Sequence, residues 1–67
     1  MEQEDRQQLI DQANEAETLV RVMIARAALK RWHAGHPDDY EMNRLLGDLT
    51  MKEAWLRTKC VQLLLSL

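Results

Sequence analysis

Gly35-His36-Pro37 is the one strong break in this chain, and it falls almost at the midpoint of 67 residues. Gly is favoured just past a helix end and Pro just inside a helix start. The segments on either side are rich in Ala, Leu, Arg, Gln and Glu, all good helix formers. The chain therefore reads as two long helices of nearly equal length: one over about 4–34, a tight turn at 35–37, and one over about 38–66. That makes a single all-α domain spanning 1–67, an antiparallel helical hairpin. The residues before Leu9 are polar and read as a frayed end.

The apolar spacing supports helix packed on helix. Leu9, Ala13, Ala16, Val20, Met23 and Ala27 alternate steps of four and three, the spacing of a helical seam. The second arm carries its own seam in Met42, Leu45, Leu46, Leu49, Leu56, Cys60, Leu63 and Leu67. Between Leu19 and Leu29 the only charges are Arg21 and Arg26. A helix apolar nearly all round is covered on more than one side, and one opposing arm covers only one. Short scaffolds also commonly need a metal, disulfides or a second copy of themselves, and a single cysteine, Cys60, excludes an internal disulfide. The expectation is a homodimer, two hairpins forming a four-helix bundle, with Leu19, Val20, Met23, Ala27, Leu49 and Leu56 in the dimer core. Met23, in mid-seam, is then intolerant of a charge.

Within the second arm, Gly47 interrupts the seam, and Thr50-Met51-Lys52-Glu53 has the form of a capping box. Either one kinked helix or a break into two near 47–50 is compatible with this. At its start, Pro37 is placed at the first helical position, with Asp38, Asp39 and Glu41 in the first turn, where the helix dipole favours acids.

Charge placement points to an antiparallel arrangement. Residues 1–17 hold six acids and one base, Arg6, while residues 18–36 hold Arg21, Arg26, Lys30 and Arg31 and no acid. Residues 37–53 are acidic again, and residues 54–67 carry only Arg57 and Lys59. Folding at residue 36 sets Lys30 and Arg31 beside Asp38, Asp39 and Glu41, and the acidic N-terminus beside Arg57 and Lys59. In that register Leu9 lies near Leu63 and Met23 near Leu49.

Several functions are disfavoured by the residues present. No Ser/His/Asp or Cys/His set assembles on such a rod, and no Gly-rich phosphate loop exists, so the chain reads as non-enzymatic and without cofactor. His33 and His36 beside Asp38 and Asp39 have the right chemistry for zinc, but Pro37 intervenes and Cys60 belongs near the far end, so they read as turn histidines in solvent. The acidic start lacks an apolar signal core, and no run is long enough to span a membrane. A lone cysteine suits a reducing, cytoplasmic setting.

The net charge of −2 disfavours a dedicated nucleic-acid binder. The basic group Arg21, Arg26, Lys30, Arg31, or a helix-turn-helix at Gly47, keeps a nucleic-acid-binding transcriptional or copy-control regulator as the alternative. Trp, Tyr, Met and Arg are enriched where proteins meet. Arg26, Trp32, Tyr40, Met42 and Trp55 are therefore the candidate partner-binding residues. Core or dimer packing is the competing use for Trp32, Tyr40 and Trp55.

In layout, though in no motif, the chain resembles the small helical hairpins of the Rop type, plasmid copy-control proteins that dimerise into four-helix bundles. That resemblance implies the dimer. The basic RNA-binding faces of that class have no counterpart here. The short, helical, Ala/Leu/Arg-rich make-up also resembles phage-encoded proteins that disable a host protein, such as the anti-activators of quorum-sensing transcription factors. This second resemblance implies inhibition or regulation by direct binding to another protein, and it assigns no residues.

Overall fold

The structure, a computed structural model, describes residues 2–67, with side chains described from residue 5 onward. Among the described residues there are three α-helices and no strand: α1 (Glu2–Glu15), α2 (Leu19–Gly35) and α3 (Tyr40–Leu65). The all-α class stands. Met1 and the side chains of Glu2 and Glu4 lie outside the described residues, but the polar stretch from residue 2 is helical rather than frayed.

The single first helix expected over 4–34 is in fact two helices. Thr18 takes extended backbone angles (φ −95°, ψ 156°) and caps α2, its hydroxyl oxygen accepting the Arg21 N–H at 3.3 Å. A Thr ahead of an apolar run is an N-cap signal. The signal is a weak one, because Arg21, not Glu or Gln, occupies the reciprocal position of the capping box. The break turns α1 back along the hairpin. Arg6 reaches Asp39 and Glu41 at the start of α3, and Lys52 Nζ donates to the Ala16 carbonyl. α1 therefore runs beside α3 in the same direction and antiparallel to α2. The fold is an up-down-up three-helix bundle, and the register pairing Leu9 with Leu63 does not occur.

Refolding at Thr18 also resets the helical phase. In α1 the expected stripe holds: Ala13 and Ala16 are buried, and Leu9 and Ile10 pack against the core. In α2 the buried residues are Val22, Ala25 and Leu29, each two positions after an expected one. Two residues are about 200° of helix rotation. Val20, Met23 and Ala27 therefore face outward, with Val20 65% and Met23 40% exposed. A charge at Met23 is accordingly compatible with the folded monomer. Met42 and Leu49 complete the buried set from α3, with Trp32, Leu45, Leu46 and Leu56 partly buried against it.

The hinge between α2 and α3 is longer than the 35–37 expected. α2 ends at Gly35, and the His36 N–H closes it by donating to the Trp32 and His33 carbonyls. Among the described residues none takes a positive φ, so Gly35 is not used as a left-handed cap. Pro37 and Asp38 lie in the turn, and Asp39 is the N-cap of α3, its carboxylate accepting the Met42 N–H at 3.4 Å. Of the expected first-turn acids only Glu41 is helical.

α3 runs unbroken through Gly47. Thr50 does not cap a new helix. Its hydroxyl donates back to the Leu46 carbonyl at 2.8 Å and accepts from Arg26 Nε at 3.1 Å. Beyond Leu56 the helix outruns its neighbours, and every residue from 57 to 67 is exposed. This lengthens the molecule to 47 Å along an axis beside widths of 18 and 14 Å. Its radius of gyration is 13.4 Å, against about 11 Å for a compact chain of this length.

Candidate interaction surface

One end of the bundle is held by Asp39. Besides capping α3, it accepts the Trp32 indole N–H of α2 at 3.0 Å and the Arg6 guanidinium of α1 at 2.9 and 3.1 Å. Arg6 bonds Glu41 as well, at 3.2 Å. The paired Arg6 guanidinium holds the Asp39 carboxyl well below the usual carboxylate range, and Asp39 in turn raises the pKa of Arg6. Lys30 and Arg31, the bases expected at this acidic end, are not its partners in these bonds; the single base of the acidic N-terminal segment is. The sequence signal for it was that isolation, legible only once α1 folds back.

Trp32 is thus a structural residue of this end. Its ring also stacks on His36, centroids 3.8 Å apart and planes 11° from parallel, and the His36 Nδ1 lies 3.1 Å from the Trp32 carbonyl. The histidines are not turn residues in open solvent: both are half-buried. Among the described residues no group of three or more His, Cys, Asp or Glu could hold a metal ion.

Arg26 is also engaged within the chain. It bonds Thr50 and lies 3.8 Å from Glu53, which pairs with Arg57 at 3.3 Å. Arg57 Nη2 in turn approaches the Met23 sulfur at 3.7 Å. These contacts stitch α2 to α3 and leave Arg26 poorly placed to serve as a partner contact. Met42 cannot serve as one while the fold is intact, being 1% exposed.

Two of the expected partner residues do lie on the surface. Tyr40 is 78% exposed and Trp55 59% exposed. At 100° per residue, Tyr40, Gly47, Met51 and Trp55 share one face of α3, opposite Met42, Leu49 and Leu56. Met51 is exposed too. Lys59 Nζ sits 5.4 Å from the Trp55 ring centre, a cation over an aromatic face.

A second apolar surface is the outer face of α2. Val20, Met23 and Ile24 are exposed there, and Ala27 lies beside them. Of the expected dimer core, Leu49 is buried inside the monomer and Leu19 and Leu56 are half-buried. Val20, Met23 and Ala27 are the part of that set still available to another molecule. Next to Ile24, a cleft of about 330 Å3 opens at the corner of α1 and α2, lined by Gln12, Glu15, Ala16, Arg21 and Ile24. No nucleophile and base meet there.

A third surface is the end of α3, where Val61, Leu63, Leu64, Leu65 and Leu67 are exposed around the unpaired thiol of Cys60. The residue types that most often anchor interfaces do not point to this end, because Leu ranks low among them. No helix among the described residues is long and apolar enough to cross a membrane. Comparison with protein families, with curated proteins and with solved structures finds no match to this chain.

Proposed function

We propose that this is a small non-enzymatic regulator that binds another protein and inhibits or modulates it by covering its surface. The observation that carries this reading is the exposed aromatic and methionine face of α3, Tyr40, Met51 and Trp55, turned directly away from the core. Soluble monomers rarely leave contiguous apolar patches uncovered without use. A transcription regulator as target, and a phage protein acting on its host as the biological setting, are the specific forms of this proposal that the resemblance in make-up suggests. The exposed, unpaired Cys60 thiol favours the reducing cytoplasm as its place of action.

The same surplus of apolar surface supports self-association as part of the proposal. Two long hairpins forming a four-helix bundle are not the geometry to expect, since α1 already packs on both α2 and α3. Nucleic-acid binding has less support: the net charge is −2, and of the basic group Arg21, Arg26, Lys30 and Arg31, Arg26 is engaged by Glu53.

The test is capture of the partner from the native host, followed by binding measured with Tyr40→Ala and Trp55→Ala. Loss of an anchor aromatic costs ~2 kcal/mol or more, so each variant should bind about thirtyfold more weakly with its helical signal unchanged. Variants that fold and bind like the parent remove this face from the site. Tight DNA or RNA binding with a steep salt dependence replaces the functional class.

A further inference from the structure

We propose that the exposed end of α3, residues 57–67, is a self-association site in which Cys60, Leu63, Leu64 and Leu67 of one copy pack antiparallel against the same residues of a second copy. The proposal deepens the self-association reading above and depends on it.

The seam itself is the first argument. At 100° per residue, Cys60, Leu63 and Leu64 continue the face of α3 that carries Met42, Leu45, Leu46, Leu49 and Leu56, and Leu67, two residues past the end of the helix, keeps the same spacing. Up to Leu56 that face is covered by α1 and α2. Past it the same face continues for about 15 Å of helix with every residue exposed. The helix-packing seam thus runs on where none of the described helices covers it.

Area is the second. The chain exposes 5249 Å2, whereas a folded monomer of 7.9 kDa exposes about 4,400 Å2. The excess over the whole molecule is comparable to the ~800 Å2 that each partner contributes to an interface of standard size, and Leu63, Leu64 and Leu67, 68%, 70% and 101% exposed, are among its largest apolar contributors.

Geometry then selects the occupant and its direction. Two copies cannot pair their seams in parallel, because α1 and α2 already occupy that side of α3 in each bundle. Placed end to end, the two projecting ends overlap antiparallel over residues 60–67, with the two-fold axis between Leu63 and Leu64. Each patch then serves as both donor and acceptor of the contact, the self-complementarity that a two-fold interface requires. Residues 54–67 carry no acid, and their bases are Arg57, held by Glu53, and Lys59. The antiparallel overlap separates the two Lys59 positions by about 13 Å along the axis, beyond the screening length at physiological salt.

Sedimentation equilibrium of the full chain at micromolar concentration should give twice the 7.9 kDa monomer mass. Leu63→Glu with Leu64→Glu should give the monomer with an unchanged helical circular dichroism signal, because both side chains are exposed in the bundle. Ile24→Asp, on the outer face of α2, should remain dimeric. If the double variant loses helix, oxidation decides instead. In a Cys60→Ser background, Leu63→Cys should form a covalent dimer, and Gln62→Cys, on the opposite face, should not.

A parent that stays at 7.9 kDa overturns both this site and self-association. A dimer that survives the double variant, or dissolves with Ile24→Asp, overturns this site and leaves self-association standing. Equal crosslinking through Gln62→Cys and Leu63→Cys overturns the seam. A monomeric parent whose α3 end protects only when a different protein is added makes that protein the occupant and overturns the second copy.

Discussion

The two halves of α3 are written in one pattern and live in two environments. From Met42 to Leu56 the apolar face is closed over by α1 and α2, and Met42 and Leu49 are buried. From Cys60 to Leu67 every residue is exposed. Hydrophobic periodicity specifies which side of a helix wants cover. It does not specify whether the cover comes from the same chain. In a small domain whose core is mostly Ala, Val, Leu and Met, that distinction decides which residues hold the monomer and which are available to a partner.

The largest expected effect separates the halves directly. Leu49→Ala should cost ~2–5 kcal/mol through lost burial and a residual cavity, a large fraction of the stability of so small a domain. Leu64→Ala should change monomer stability by less than ~0.5 kcal/mol. Urea denaturation at concentrations low enough to keep the chain monomeric measures both. Equal costs would mean that the end of α3 folds back onto its own bundle, and the contrast between the halves would dissolve.

The covered half is also clamped at its start, and there the next effects are expected. Asp39→Ala removes the cap of α3, worth ~1 kcal/mol, and with it the acceptor for Trp32 and Arg6. Thermal melts at neutral pH should show a lower midpoint. The acid side sharpens the assignment. The folded Asp39 pKa lies below that of the unfolded carboxyl, near 3.9, so its contribution is complete above that value and is lost as pH falls below it toward the folded pKa. Asp39→Asn should lose that part of the acid dependence. A melting profile in acid identical to that of the parent would show that the Arg6 pairing contributes nothing to the fold.

Thr18→Ala should cost a similar ~1 kcal/mol and bears on why α3 has a covered half at all. If the cap is what turns α1 back, then in the monomeric Leu63→Glu, Leu64→Glu background scattering should show a larger radius of gyration with Thr18→Ala than without it, as α1 and α2 straighten. An unchanged radius would assign the turn to the burial of Ala13 and Ala16 instead. The smallest effect is a gain. A Cβ at Gly47 would meet nothing within 4 Å beyond its chain neighbours and the adjacent backbone of its own helix, so Gly47→Ala should stabilise α3 by ~0.5–1 kcal/mol. Since Gly47 shares its face with Tyr40 and Met51, a stabilised variant with weakened partner binding would place that partner over the glycine.

Helical class, the hinge near Gly35, and the apolar seam of α3 were all determined by the sequence, because they follow from local propensity and from spacing within one element. The seam of α1 through Ala13 and Ala16 was equally legible. The face of α2 was not. Its ten residues from Val20 to Leu29 are apolar on nearly every side, so periodicity selects no direction, and extending the α1 stripe across Thr18 selected the wrong one. Only the tertiary structure decided that Val22, Ala25 and Leu29 go inward, because a cap at Thr18 frees α2 from the phase of α1. It likewise decided that Arg6 and not Lys30 or Arg31 meets Asp39, and that α3 continues past its cover. Each of these depends on where a second helix lies, and that position is a property of the packed bundle rather than of any single stretch of residues.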